Sequence, residues 1–331
     1  MGAYPDGGFF LFTENLKMSE EVEMNYDQFL AEVKAGIQEK LGSKYEISLQ
    51  KVTKNNGIVL DGLIIGKAER NLAPTIYLNS YFMHFTQGMS LPEILEDIIA
   101  AYKENMDIAP GDMNGLLDFN NLKNKIVYKL IQKEKNQKLL NDLPFFEFLD
   151  LAMVFYLILD ENKEGQMTAM IHNSHMQMWG VTKEAIYELA KENNEALLPP
   201  EIKTMKAIMH DMLKELSDEM CVDEVIEDFF DIDSKGPSMY VLSNKRKMNG
   251  AGCILYDNCL KEFAILQGSD IIILPSSVNE VILVPDKGKL DYEELQNIVG
   301  QINESEVPEE DVLSDHIYKY SFHDSRISII K

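Results

Sequence analysis

The spacing of apolar and polar positions predicts that the fold begins near residue 24. Residues 24–42, MNYDQFLAEVKAGIQEKLG, carry apolar side chains at helical spacing, and Asn25 and Gln28 have the spacing of a capping box. Two strands follow, YEISLQKVT and GIVLDGLII, and the Asn-Gly dipeptide between them is typical of a hairpin turn. A third strand, PTIYLN, and a helix that begins at Ser90 complete this part of the pattern.

The middle of the chain predicts further strands and two helices. KIVYKLI and the long apolar run DLAMVFYLIL predict strands, the second of them buried on both faces, with a short polar helix, KEKNQKLLNDL, between them. QMTAMIH predicts the next strand, which leads into a junction with the only tryptophan of the chain. Helices are expected over residues 182–193 and 200–216.

The last third of the chain returns to strands. SMYVLSN, a basic hairpin tip and AGCILY precede a helix, CLKEFAILQ, that should end at Gly268. DIIILP and NEVILVP, a helix from Asp291, and HIYKYSF and RISII complete the pattern. Because strands and helices alternate irregularly and several hairpins are antiparallel, we predict an α+β (mixed α/β) protein with two lobes.

The same pattern predicts how the chain is divided. The expected parts are a flexible extension (1–23), an N-terminal α/β lobe (24–105), a connection (106–118), central strands and helices (119–217), an acidic linker (218–237) and a C-terminal α+β lobe (238–331). The linker is predicted from eight acidic residues, without a basic one, between Asp218 and Asp233.

Charge and cysteine content limit the classes of function. With 31 basic and 55 acidic side chains the net charge is −24, which disfavours general binding to nucleic acid or to an anionic membrane. The longest apolar run has nine residues, too few for a transmembrane helix. Cys221, Cys253 and Cys259 show no Cys-x-x-Cys spacing, so we expect free thiols and a cytoplasmic location.

No common catalytic motif is present in the sequence. It has no phosphate loop, dinucleotide-binding glycine motif, nucleophile elbow or His-Glu-x-x-His zinc motif. We therefore expect a binding or interaction module without catalytic activity, with no cofactor and with a protein as its partner. The acidity alone suggests another alternative, an inhibitor that mimics DNA, which ranks third after the metal-dependent alternative described next.

The junction MIHNSHMQMWGVTKEAI offers the best candidate metal site. His172 and His175 are three residues apart and could converge on a divalent metal, which makes a metal-assisted hydrolase the second functional alternative. A catalytic zinc needs a third protein ligand, and the sequence supplies none nearby. We therefore favour a structural junction, in which Trp179 packs between sheet and helix and Thr182 caps the next helix.

The second candidate site is the predicted hairpin tip SNKRKMNG. Its residues could contact a phosphate or an acidic partner segment, because arginine offers a bidentate fork to such groups. The alternative is an ordinary solvated turn. The candidate residues are Ser243, Asn244, Lys245, Arg246 and Lys247.

Several stretches of the sequence resemble an uncharacterised family. The stretches LQKVTKNNGIVLDGL, PTIYLN, IHNSHMQMWGVT, YVLSNKRKMNGAGCILY, LPSSVNEVILVP and VLSDHIY are similar to those of the bacterial domain-of-unknown-function family 5688, found in Gram-positive gut anaerobes. The resemblance covers the chain from about Met24 onward. The order of elements more distantly resembles a second uncharacterised bacterial family. Neither resemblance implies an activity, a cofactor or a catalytic residue.

Overall fold

The structure is a computed structural model that describes residues 24–67, 75–108, 118–162, 165–216 and 238–330. The predicted extension and the predicted acidic linker lie outside the described residues, as does most of the predicted connection. No helix in these ranges is long and apolar enough to cross a membrane.

Helices and strands alternate irregularly along the described chain, and this confirms the predicted α+β class. The helices are α1 Tyr26–Leu41, α2 Leu78–Thr86, α3 Leu91–Ile108, α4 Phe119–Leu122, α5 Gln137–Leu140, α6 Asn173–Trp179, α7 Lys183–Leu197, α8 Met205–Leu216, α9 Cys259–Gln267 and α10 Tyr292–Ser305. The strands are β1 Tyr45–Thr53, β2 Val59–Lys67, β3 Thr75–Tyr77, β4 Ile126–Gln132, β5 Phe145–Phe148, β6 Leu151–Asn162, β7 Gly165–Met170, β8 Pro200–Thr204, β9 Tyr240–Asn244, β10 Asp270–Leu274, β11 Val281–Asp286, β12 Tyr318–Ser321 and β13 Arg326–Ile329.

The first sheet, in the order β1-β2-β3, packs with α1, α2 and α3 around a core of its own. α1 begins at the predicted capping box, in which the Asn25 side chain accepts from the Gln28 N–H and the Gln28 side chain accepts from the Asn25 N–H. The predicted strand PTIYLN is wrong in its last two residues, because α2 begins at Leu78, directly after β3. Phe82 and Phe85 lie on one face of α2, and their ring centroids are 5.2 and 5.5 Å from that of Phe29.

The predicted hairpin between β1 and β2 is confirmed. The strands are antiparallel, with Thr53 opposite Val59, and the connection makes a 3₁₀ turn at Asn55–Gly57. Asn56 (φ 58°) has left-handed backbone geometry, which asparagine tolerates better than most residues.

Asn56 also joins this hairpin to the rest of the molecule. Its Nδ2 donates to the carbonyl oxygens of Glu309 and Val312, at 2.7 Å each, and its Oδ1 accepts from Asn136 Nδ2 at 2.9 Å. The Asn56 backbone N–H donates to Asn136 Oδ1 at 2.8 Å. The hairpin tip is therefore held between the turn after β4 and the loop before β12.

The central sheet is built on β6. β4 pairs with one edge of β6, and β5 and β7 pair with the other, all antiparallel. Every side chain from Leu151 to Ile158 is buried, which confirms the prediction that this strand is covered on both faces. The sequence analysis missed β5, a short strand that follows Pro144.

The third sheet has the order β13-β12-β10-β11-β9-β8. The helix predicted over 200–216 is wrong in its first five residues, because β8 pairs with β9 there and α8 begins only at Met205. Pro200 is compatible with this edge strand because proline is tolerated at the start of a strand. One hydrophobic cluster contains residues of both the central and the third sheet, among them Phe155, Leu283 and Tyr318.

Candidate functional site

The basic loop, defined here as residues 243–250, connects β9 to a 3₁₀ turn at Gly250–Leu255. The prediction of a hairpin tip is wrong, because the residues after the loop do not form a strand paired with β9. A Cβ atom on Gly250 would lie 2.2 Å from Ser243 Oγ and 2.5 Å from the carbonyl oxygen of Asn279. The chain can return this close to β9 because residue 250 has no side chain.

Asn244 holds the basic loop in one conformation from the inside. Its side chain is only 1% exposed, and its Oδ1 accepts from the Arg246 N–H at 2.9 Å. Its Nδ2 donates to the Met248 carbonyl oxygen at 2.7 Å, and its own carbonyl oxygen accepts from the Lys247 N–H at 2.9 Å. Asparagine often organises turns in this way, because its short amide can bond to nearby backbone groups.

The polar turn between β10 and β11 braces both ends of the basic loop. Ser243 Oγ donates to the Asn279 carbonyl oxygen at 2.7 Å, and Asn279 Oδ1 accepts from the Asn249 N–H at 3.0 Å. Ser277 Oγ in turn accepts from the Asn279 N–H at 3.0 Å. The hydroxyl of Ser277 is therefore engaged in turn structure.

The five candidate residues of the loop fall into two groups. Ser243 and Asn244 are buried and face the interior of the loop. Lys245 and Lys247 are exposed, and Arg246 is half-buried. The backbone N–H of Lys245 donates to the carbonyl oxygen of Pro199 at 3.0 Å, which anchors the exposed part of the loop to the chain before β8.

Glu280 lies near the basic loop and Asp311 lies near Glu280, both in a partly desolvated environment. Burial raises the pKa of Glu280, Asp311 raises it further, and Lys247 opposes the shift. Burial likewise raises the pKa of Asp311, while the nearby Lys129 ammonium lowers it. Glu280 therefore shares an electrostatic environment with Lys247 and Asp311, and Asp311 shares one with Lys129.

Lys129 and Tyr156 lie on the same face of the central sheet, and Lys129 is near Asp311. Val127 pairs with Tyr156 and Lys129 pairs with Val154, so the two side chains emerge on one face of β4 and β6. Lys129 Nζ is 5.8 Å from the Tyr156 ring centroid. The sequence analysis missed both residues, although a lysine in the middle of the apolar strand IVYKLI was a visible signal.

Their titration is strongly perturbed. Burial lowers the pKa of Lys129 to about 8, with a further contribution from Lys54 and an opposing one from Asp311. Burial raises the pKa of Tyr156 to about 12, although the Asn249 side chain and the Arg246 charge both lower it. Perturbed groups of this kind cluster at functional sites more often than elsewhere.

His172 and His175 are close together but engaged in local structure. The His172 Nδ1 is 2.7 Å from Asp142 Oδ2, and the two histidine ring centroids are 5.4 Å apart. His175 Nδ1 accepts from the His172 N–H at 3.1 Å, which places the proton of the neutral ring on Nε2. Within the described ranges no three His, Cys, Asp or Glu side chains are grouped so that they could hold a metal ion.

The environment of His175 favours its neutral form. Burial lowers the pKa of His175, and the neighbouring His172 lowers it further, while Asp142 opposes the shift. The His175 ring stacks on Trp179, with centroids 5.5 Å apart. Trp179 also contacts Phe119 at 5.6 Å, and Thr182 Oγ1 accepts from the Ala185 N–H at the start of α7.

A serine, a histidine and an aspartate meet elsewhere, but in an arrangement unlike a catalytic triad. Ser314 Oγ donates to Asp150 Oδ2 at 2.5 Å, and the same oxygen lies 3.3 Å from His316 Nδ1. Tyr318 OH donates to Asp150 Oδ1 at 2.7 Å. A nucleophilic serine needs the histidine as its base, whereas this buried serine is bound to the acid.

Comparison with known proteins identifies a family but no activity. A model described as a family of unknown function, DUF5688, matches residues 26–321. No curated protein and no solved structure matches the chain.

Proposed function

The chain belongs to the family of unknown function DUF5688, and from its own residues we propose that it is a non-catalytic binding module that recognises an acidic segment of another protein through the basic loop. The partner would be bound by Lys245, Arg246 and Lys247. Arginine pairs with carboxylates through a planar fork, and the two exposed lysines supply further donors.

The observation that carries this proposal is the internal support of the loop by buried Asn244. A charged loop that is disordered before binding loses affinity, because its ordering opposes association. Here the backbone on both sides of Arg246 is already fixed by hydrogen bonds to one asparagine side chain and its carbonyl group. The loop is therefore prepared to present the exposed Lys245 and Lys247 on either side of the half-buried Arg246.

The charge of the molecule adds selectivity. A net charge of −24 repels acidic partners in general, so an acidic segment would bind where cations are concentrated.

A non-catalytic role is supported by the engagement of the obvious acid, base and nucleophile candidates in local structure. Asp150 accepts from Ser314 and Tyr318, and His175 accepts from the backbone of His172.

We place this binding in the cytoplasm. The support is that Cys253 and Cys259 are free thiols, and burial raises their pKa to about 12 and about 11. Such protonated thiols are unreactive structural residues and are typical of a reducing compartment.

The test is fluorescence anisotropy of a short labelled peptide rich in Asp and Glu, titrated with the full chain. We expect binding that weakens as salt is raised toward about 0.3 M, because exposed charges are screened. The double variant Lys245→Glu with Lys247→Glu should weaken binding by about tenfold or more, which corresponds to about 1.4 kcal/mol.

The chain offers a matched control in Lys287→Glu with Lys289→Glu. These two lysines are also exposed, also lie two residues apart in a loop, and change the net charge by the same amount. The control should keep the wild-type affinity. Absence of binding to the wild-type chain, or equal losses in the two double variants, would rule out the basic loop as the contact surface.

A further inference from the structure

The strand β5 forms an edge of the central sheet. The Phe155 carbonyl oxygen of β6 accepts from the Ile171 N–H at 3.0 Å, so the odd-numbered residues at the start of β6 direct their backbone groups toward the side of β5 and β7. The β5 residues opposite such positions are Phe146 and Phe148, and they carry the hydrogen bonds of the pair. The alternate residues of β5 therefore direct their N–H and carbonyl groups outward, away from β6.

These outward groups are those of Phe145 and Glu147. Lys183 Nζ donates to the Phe145 carbonyl oxygen at 3.0 Å, which confirms the direction. The N–H groups of both residues and the Glu147 carbonyl oxygen have no partner in the part of the chain that the structure describes. Outward main-chain groups of an edge strand are a template on which a further strand can pair.

A cleft of about 390 Å³ opens beside this edge. Its walls are β5, the loop before it and the starts of α6 and α7, and its apolar lining includes the partly exposed side chains of Phe145, Phe146 and Met176. The volume is within the range of ligand sites. An edge strand with a side-chain cleft next to it is the arrangement by which domains bind extended peptides.

Lys183 determines where an added strand would end. Its ammonium lies 4.3 Å from the Phe146 ring centroid and donates to the Phe145 carbonyl oxygen, and an ammonium has three protons to donate. Lys183 forms no ion pair within 4.0 Å among the described residues. Because it occupies the Phe145 carbonyl oxygen, strand pairing stops there. A terminal carboxylate fits this position, since it ends the added strand and accepts from both Lys183 and the Phe145 N–H.

We propose that β5 and this cleft bind the carboxyl-terminal end of another protein as an added strand. The last side chain of that protein is apolar and fills the cleft, its carboxylate accepts from Lys183, and the residues before it pair with Glu147. The added strand ends at Phe145, where β5 begins, so the two strands are antiparallel. The site goes beyond the proposed function, because it lies on the central sheet and uses none of the residues 243–250.

The probe is a short peptide of alternating threonine and valine that ends in leucine, labelled at its amino end and titrated with the full chain in fluorescence anisotropy. We expect saturable binding with a dissociation constant on the order of 0.1–1 mM. The same peptide with an amidated carboxyl end should bind at least about tenfold more weakly. The peptide has no acidic side chain, so Lys245→Glu with Lys247→Glu should leave its affinity unchanged, which separates this test from that of the proposed function.

The Lys183→Met variant tests the carboxylate contact. It should weaken binding of the free-carboxylate peptide about tenfold and change binding of the amidated peptide by less than about twofold, because only the first peptide has the group that Lys183 contacts. Lys191→Met is the matched control on the same helix. It removes the same charge from a lysine that pairs with Asp257 at 2.9 Å, and it should keep the wild-type affinity.

The Glu147→Pro variant tests the main-chain pairing. Proline is tolerated on an edge strand where the missing N–H faces outward, and circular dichroism verifies that the variant is folded. It should bind the peptide at least about tenfold more weakly, whereas Glu147→Ala loses the same side chain, keeps the N–H and should bind within about twofold of wild type. The proposal is overturned if the wild-type chain shows no saturable binding, if both peptides bind equally, if Lys183→Met does not discriminate between them, or if folded Glu147→Pro binds as Glu147→Ala does.

Discussion

Replacing Lys129 with methionine should stabilise the protein near neutral pH. Burial lowers the pKa of Lys129 to about 8, from about 10.4 in an unfolded chain. A lysine whose pKa is lower in the folded state binds fewer protons there than in the unfolded state. Its charged form therefore destabilises the fold fully below about pH 8, and this cost disappears as pH rises toward about 10.4.

The size of the effect follows from the shift. About two pK units correspond to about 3 kcal/mol, and the partial exposure of the side chain reduces this. Methionine keeps the length of the aliphatic stem and removes the charge. We therefore expect Lys129→Met to raise the free energy of unfolding by about 1–2 kcal/mol near pH 7, where most core substitutions lower it.

The assay is urea unfolding of wild type and variant at several pH values between about 7 and about 10, followed by Trp179 fluorescence and circular dichroism. The difference between the two proteins should shrink steadily over this range. Lys133→Met should differ from wild type by no more than about 0.5 kcal/mol, because its surface ion pair contributes little. A Lys129→Met variant that is less stable at pH 7, or whose difference from wild type does not change with pH, would refute the reasoning.

Two further predictions test the polar contacts that hold the site. Asn244→Ala removes two side-chain hydrogen bonds of about 1 kcal/mol each, which should make the loop open more often. Tryptic cleavage within residues 245–247, measured by mass spectrometry, should therefore accelerate about 30-fold. Cleavage after residues 287 and 289 should keep its wild-type rate. Equal acceleration at both places would mean that Asn244 stabilises the whole fold and not this loop. Asn56→Ala loses three side-chain hydrogen bonds and should cost about 3 kcal/mol in urea unfolding, against about 1 kcal/mol for Asn55→Ala, which loses one. Similar costs for the two would show that Asn56 is not the main link between hairpin and body.

The elements predicted correctly are those in which a complete local pattern agrees with the tertiary environment. β6 is apolar from Leu151 to Leu159 because both of its faces are covered over most of this length, and α1 carries its capping box within four consecutive residues. The prediction of helix for residues 200–204 was wrong because Ile202 happens to have helical spacing with Met205 and Met209. That segment instead pairs with β9, a partner more than thirty residues away that no local pattern reveals.

The candidate site could be predicted only in part for the same reason. The cations of residues 245–247 are visible as a run of charge, but their support by Asn244 and Asn279 depends on the fold of two separate turns. Lys129 stands out in an apolar strand, yet its proximity to Lys54 and Asp311 depends on docking of the hairpin tip. The sequence indicates which turns are polar, but the contacts between these turns depend on the tertiary structure.

Two polar junctions of the molecule differ in how completely their groups are bonded. The Asn56 amide completes its hydrogen bonds with two carbonyl oxygens and Asn136, so it stabilises the docked hairpin. The Lys129 ammonium lies over the Tyr156 ring, 5.8 Å from its centroid, and forms no ion pair within 4.0 Å among the described residues. Because a ring face compensates a charge less than a carboxylate does, the Lys129 charge costs stability that an uncharged side chain of similar length would recover.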